Sequence, residues 1–135
     1  YDSRNGDVYV TNIGSNTDSV IDTSKNVVVA TIGVGNNPHC VAYDSRNGDV
    51  YVTNNSDNTV SVIDTSKNVV VATIGVGHSP EGVAYDSRNG GVYVANNSDN
   101  TVSVIATTGS GSNNDGSSTS RHGGNGGNAI AKWFS

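Results

Sequence analysis

The chain has 135 residues, 33% hydrophobic and 14% charged, with a formal net charge of -5. It contains no Leu, Met or Gln, and Glu81 is its single glutamate; the best helix formers are nearly absent, and Val, Thr, Tyr and Asn take their place. This excludes a helix bundle, a coiled coil and an α/β fold, and seven Lys plus Arg leave no basic stripe for nucleic acid or an anionic membrane surface.

No apolar run exceeds four residues, as in Val27–Ala30, so the expectation for these 135 residues is neither a membrane-spanning helix nor an attached signal peptide. The chain opens on Tyr1, and the expectation is a processed or excised piece of a longer protein. Tyr1 to Ala42 reads YDSRNGDVYVTNIGSNTDSVIDTSKNVVVATIGVGNNPHCVA; Tyr43 to Ala84 repeats it at 34 of 42 positions. A third copy starts at Tyr85 and follows the second through Ile105, changing only at Gly91 and Ala95. It is expected to end there, where Ala106 replaces Asp64.

Each copy divides into four strand-like runs. In the middle of the chain these are Asp49 to Thr53, Thr59 to Asp64, Val69 to Val76 and Gly82 to Tyr85, rich in β-branched and aromatic residues. Turn chemistry separates them at Asn47-Gly48, Asn55 to Asn58 and Ser66 to Asn68. Asn-Gly supplies the positive φ angles of a two-residue hairpin, so a tight turn is expected there. Four antiparallel strands in roughly 40–45 residues is the beat of a β-propeller blade. One such sheet cannot bury both faces alone, so blades must stack.

Tyr51-Val52-Thr53-Asn54, then Asn58 to Asp64 and Val70 to Ile74, resembles the YVTN β-propeller repeat. That family is similar to surface-layer and secreted proteins, which implies seven-bladed rings and an extracellular or cell-surface setting. The resemblance covers residues 1 to about 105. The expected fold is therefore all-β, a propeller-like arc of about two and a half to three four-stranded antiparallel blades. The first blade lacks its innermost strand, and the arc reads as a fragment of a larger ring, with association between copies as the alternative.

The expected division is residues 1–106 for the repeats, with blade boundaries near 36 and 78, then 107–128 as a flexible linker with Gly, Ser or Asn at 16 of 22 positions. An apolar tail follows at 129–135, holding Trp133 and Phe134. It could dock on a partner, supply the missing outer strand of the third blade, or have no role.

In an up-and-down blade, alternate turns share an end. The eight differences between the first two copies lie at 13, 14, 15, 18, 36, 37, 39 and 40 and their partners 42 residues on. All fall in or beside the loops at one end, so one rim varies and the other is uniform. Binding residues generally sit on loops held by a rigid scaffold. The candidates are Asn36, Asn37, His39, Asn55, Asp57, His78, Ser79 and Glu81. Drift in surface loops gives the same pattern.

His39, Cys40, His78 and Glu81 have metal-ligand chemistry, but the two histidines occupy different repeat positions and zinc spacings are absent. Exposed loop residues are the favoured reading, with no metal and no cofactor. Cys40 aligns with Gly82 and is read as a tolerated small residue. Asp44 and Asn47 are expected to close local Asx-turns. Gly33-Val34-Gly35 and Gly75-Val76-Gly77 precede loops rather than helices and are read as bends between blades. Asn54 and Asn96 match the N-glycosylation acceptor pattern. The expected function is a non-catalytic scaffold of a cell-surface or secreted protein that recognises protein or glycan; the alternative is a fragment of a redox or lyase propeller enzyme.

Overall fold

Runs such as DVYVT and TVSVID put β-branched and aromatic side chains on both faces of a strand, a pattern suited to a sheet covered on both sides. The structure, a computed structural model, describes residues 1–107 and, as backbone, the strand Ala129–Phe134. The segment expected as a linker, apart from Thr107, lies outside the described residues.

The strands are β1 (Asp7–Asn12), β2 (Thr17–Asp22), β3 (Val27–Gly33), β4 (Pro38–Asp44), β5 (Asp49–Asn54), β6 (Thr59–Asp64), β7 (Val69–Gly75), β8 (Pro80–Asp86), β9 (Gly91–Asn96), β10 (Thr101–Thr107) and β11 (Ala129–Phe134). They form three antiparallel sheets in the orders β1-β2-β3, β4-β5-β6-β7 and β11-β10-β9-β8. These are blades one, two and three. Blade one has three strands, and β11 occupies in blade three the place that β7 holds in blade two, with Val102 opposite Phe134 and Thr107 opposite Ala129. The fold is all-β and propeller-like, with no α-helix among the described residues.

The core lies between the blades. Tyr9, Val20 and Ile32 of blade one pack with Val50, Val52 and Ile63 of blade two. Tyr51, Val60, Val62 and Val76 of blade two pack with Val92, Val94 and Ile105 of blade three. Alternation along β5 thus sends Val50 and Val52 to one seam and Tyr51 to the other. Burying each such side chain contributes roughly 1.5–3 kcal/mol, so the middle blade is stabilised from both sides.

Two local expectations are corrected. Asp44 pairs with Asp49, so the Asn47-Gly48 connection is a four-residue loop rather than a two-residue hairpin. Of the two residues, Gly48 alone has positive φ, at 82°. The Asp44 carboxylate accepts the Arg46 N–H at 2.8 Å, and the Gly48 N–H closes onto the Asp44 carbonyl at 2.8 Å. That wraps the chain through one helical turn, which Gly48 ends in the left-handed region. Asn58 and Asn68 end the two following loops in the same way, at φ 57° and 56°. The second correction is the end of the third copy. The strand runs on through Ala106 to Thr107, whose hydroxyl donates to the Gly90 carbonyl at 2.6 Å, as the Thr65 hydroxyl does to Gly48. The repeat therefore passes Ile105.

Candidate functional site

The varied rim is built around the two linkers that carry the chain from one blade to the next. The first linker passes directly over Asn54, the last residue of β5. A Cβ on Gly35 would sit 2.5 Å from the Asn54 Cγ; glycine is required there by the close approach. The Gly35 N–H donates to Asn54 Oδ1 at 3.1 Å, while Asn54 Nδ2 donates to the Thr59 and Ser61 hydroxyls at 3.1 and 2.9 Å. Gly77 and Asn96 repeat the arrangement in the next blade, with bonds from Asn96 to Thr101 and Ser103.

The glycosylation reading of Asn54 and Asn96 is corrected by this geometry. Both side chains are buried, and their amide nitrogens are committed to internal hydroxyls. A glycan on either would remove those bonds and could not fit under the linker.

Outward from the glycines, the linker is held on both sides. The Asn36 N–H and Asn36 Nδ2 each donate to the Asp57 carboxylate at 2.9 Å. The Asn37 N–H donates to Asn16 Oδ1 of blade one at 3.0 Å, and Asn37 Nδ2 to the Ser56 hydroxyl of blade two at 2.7 Å. Asn16 Nδ2 in turn donates to Asn36 Oδ1 at 3.0 Å. In the second linker the His78 N–H donates to Asp99 at 2.8 Å, and His78 Nδ1 lies 2.9 Å from both Asp99 oxygens. The Ser79 N–H donates to Asn58 Oδ1 at 3.0 Å, and the Ser98 hydroxyl to Ser79 Oγ at 2.8 Å. His78 thus does what Asn36 does one repeat earlier. These N–H donors hold the Asp57 and Asp99 carboxyls below the usual carboxylate range. An ionised Asp99 only accepts, so His78 donates to it from Nδ1.

The remaining candidates sit beside this network. The His39 carbonyl accepts the Thr11 hydroxyl at 3.1 Å across the first seam, and the Glu81 carbonyl accepts the Thr53 hydroxyl at 2.7 Å across the second. The Glu81 carboxylate accepts Asn97 Nδ2 at 3.3 Å, and Asn55 Nδ2 donates to the Pro80 carbonyl at 3.3 Å. Cys40 is a free, exposed thiol. Among the described residues no three His, Cys, Asp or Glu side chains are placed to hold a metal ion. Beyond blade three, Glu81, Ala95, Asn97, Asn100, Thr101 and Val102 line an open groove of about 340 Å³.

Sequence reasoning missed Thr11, Thr53, Asn16 and Asn58, which build the rim and are the same in the first two copies. Their signal was constancy beside change: Asn12-Asn16 and Asn54-Asn58 are kept while the residues between them differ.

The opposite rim carries all five Lys and Arg of residues 1–107, namely Arg4, Lys25, Arg46, Lys67 and Arg88. Its carboxylates mostly bond inside their own turns, as Asp64 does to Ser66 at 2.8 and 2.6 Å. Asp49 faces Asp64 across the strand pair. Burial, then Asp64 and Asp44, push the Asp49 carboxyl up to about 6, with Arg4 opposing. Among the described residues the linker rim has no Lys or Arg; its carboxylates are Asp57, Glu81 and Asp99, beside the imidazoles of His39 and His78.

Stacked antiparallel blades joined by outer-to-inner linkers define a β-propeller segment. The family described as "Lactonase, 7-bladed beta-propeller" matches residues 2–131, and the chain belongs to that family. No curated protein matches it. Solved structures with similar folds include the hydrazine synthase of Kuenenia stuttgartiensis, at 17% identity and TM-score 0.60 over 79% of this chain and 40% of that one. The dihydro-heme d1 dehydrogenase NirN in complex with DHE is similar at 19% identity and TM-score 0.64, over 76% and 22%. A functionally unknown protein from Desulfotomaculum acetoxidans DSM 771 is similar at 18% identity and TM-score 0.63, over 77% and 35%. The chain spans less than half the length of each.

Proposed function

We propose that these blades are a non-catalytic scaffold whose linker rim binds a glycan or a protein, in a surface-layer or secreted protein of the YVTN type. The observation that carries this reading is the repeated clamp at both linkers. Asn, Asp, Ser and His side chains hold the backbone in place, so the rim is set before any partner arrives and little ordering cost remains on binding. A rim whose described residues are amides, hydroxyls, carboxylates and two imidazoles, with no Lys or Arg, suits neutral polyhydroxyl or basic partners and disfavours anionic ones.

The test is an array of neutral and sialylated oligosaccharides probed with the 135-residue chain and with the exposed-rim variant Asn55→Ala/Asn97→Ala. Binding of neutral glycans that weakens at least tenfold in the variant supports the reading. Binding that survives in the variant and is lost on changing Arg46 and Lys67 overturns the choice of rim.

The family's description favours a second reading, a propeller hydrolase to which these blades contribute. The similar hydrazine synthase and NirN structures are titled as enzymes. His78, oriented by Asp99, is the group such chemistry would use as a base. Lactone hydrolysis by the full-length protein that is abolished in His78→Asn would favour this reading over the scaffold.

A further inference from the structure

Asp18 stands where the other two copies have valine. Its counterpart Val60 lies on the face of β6 that packs with Val92, Val94 and Ile105 across the second seam, and it is fully buried. The third counterpart, Val102, lies on the open face of blade three and is 39% exposed. On β2, Asp18 shares a face with Val20, which belongs to the core between blades one and two. The first seam therefore holds a carboxyl where the second holds an isopropyl group.

Asp18 is fully buried, and neither carboxyl oxygen has a hydrogen-bond partner. Other buried carboxyls are at least half satisfied: Asp2 accepts the Arg4 N–H, and Asp44 accepts the Arg46 N–H and the Thr107 hydroxyl. Opposite Asp18 stand Thr11 on β1 and Ile32 on β3. The Thr11 hydroxyl is committed to the His39 carbonyl, and isoleucine offers no donor.

We propose that Asp18 makes the seam between the first two blades a pH-sensitive joint, closed while its carboxyl is protonated and loosened when the carboxyl ionises. The titratable groups of the strands in this seam are Asp7 and Tyr9 on β1, Asp22 on β2, His39, Cys40, Tyr43 and Asp44 on β4, Asp49 on β5 and Asp64 on β6; β3 and β7 have none. His39 is the one among them able to carry positive charge. Burial is the whole cause of the shift at Asp18, which is pushed up to about 7 from a usual 3.8. The sign follows. Between about pH 4 and about pH 7 the folded chain holds a proton that the unfolded chain has lost, so stability falls as pH rises through that window and stays low above it.

The experiment is denaturant unfolding of the 135-residue chain from about pH 5 to about pH 8, in the native protein and in Asp18→Val and Asp18→Asn. The native unfolding constant should rise relative to either variant by up to about tenfold per pH unit until near pH 7. Two further readouts need no unfolding. The infrared carbonyl band of neutral carboxylic acids should be present near pH 6 and lose intensity in Asp18→Asn, the remainder belonging to Asp49. Amide exchange at Val20 and Val52 should speed up between about pH 6 and about pH 8, corrected for base catalysis, more than at Val62 and Val94. A native-to-variant difference that does not change with pH, or a band near pH 6 that Asp18→Asn leaves unchanged, overturns the proposal.

Discussion

The two rims of the arc use the same short polar residues for different ends. On the uniform rim, Asp and Asn side chains bend back two residues to cap their own turns, as Asp44 does to Arg46 and Asn47 to Asp49 at 2.9 Å. Ties between blades are sparser there, such as the Tyr9 hydroxyl to Asn68 Oδ1 at 2.8 Å and the Thr107 hydroxyl to Asp44 at 3.0 Å. On the linker rim the bonds run from a linker's backbone N–H groups to side chains of both flanking blades. Local capping keeps the capping Asp and Asn because each turn needs its own acceptor side chain; where Gly91 replaces Asp49, its N–H still donates to the Asn89 side chain. A crossing network tolerates exchange so long as one member donates and the other accepts. That is why Asn36 and Asp57 become His78 and Asp99 without loss of geometry.

The largest expected break of this contrast is Gly35→Ala or Gly77→Ala. The added methyl meets an asparagine pinned by two hydroxyls, and the cost should be about 3 kcal/mol from overpacking and the strained N–H bond. The same change at Gly33, where a Cβ has open space, should move the unfolding midpoint little. Next is Thr53→Val, which keeps the shape and removes the hydroxyl shared by the Cys40 N–H and the Glu81 carbonyl. About 1–2 kcal/mol should be lost by denaturant titration, whereas Ala95→Thr should cost nothing.

Asp49→Asn sharpens the contrast through pH. Its carboxyl, raised to about 6, favours the folded state while protonated, so stability drains as pH rises from about 4 to about 6. The variant should be more stable than the native chain above about pH 6 and gain nothing below about pH 4. Asp57 and Asp99 have the opposite sign, being held low by N–H donors. Their stabilisation is present above the usual carboxylate range and disappears as pH falls below it. The smallest effect is His78→Asn, which restores the first linker's pairing and should leave the unfolding midpoint near its native value.

Much of the fold was legible because strand chemistry repeats every 42 residues and nothing competes with it. Boundaries slipped where a local bond overrides a dipeptide rule. The Asp44 carboxylate turns Asn47-Gly48 into a longer loop, and Thr107 keeps the Thr65 bond although Asp64 has become Ala106. The rim was legible as a location, from the eight differences. Its construction was not, since side chain to backbone bonds across blades leave no mark in one chain's spacing. Asn54 showed this most plainly: its tripeptide fits an acceptor pattern, yet the glycine that buries it lies 19 residues earlier. Asp18 was visible as a difference, but that it faces a seam required the sheet register.

Amide hydrogen exchange of the linkers tests the preformed rim most directly. The N–H groups of Gly35, Asn36, Asn37, Gly77, His78 and Ser79 each donate to a side chain. A preformed rim predicts protection of these six comparable to the amides of β5 and β6. Exchange at open-loop rates would contradict it, because the linkers would then be free and the rim would have to assemble around its partner.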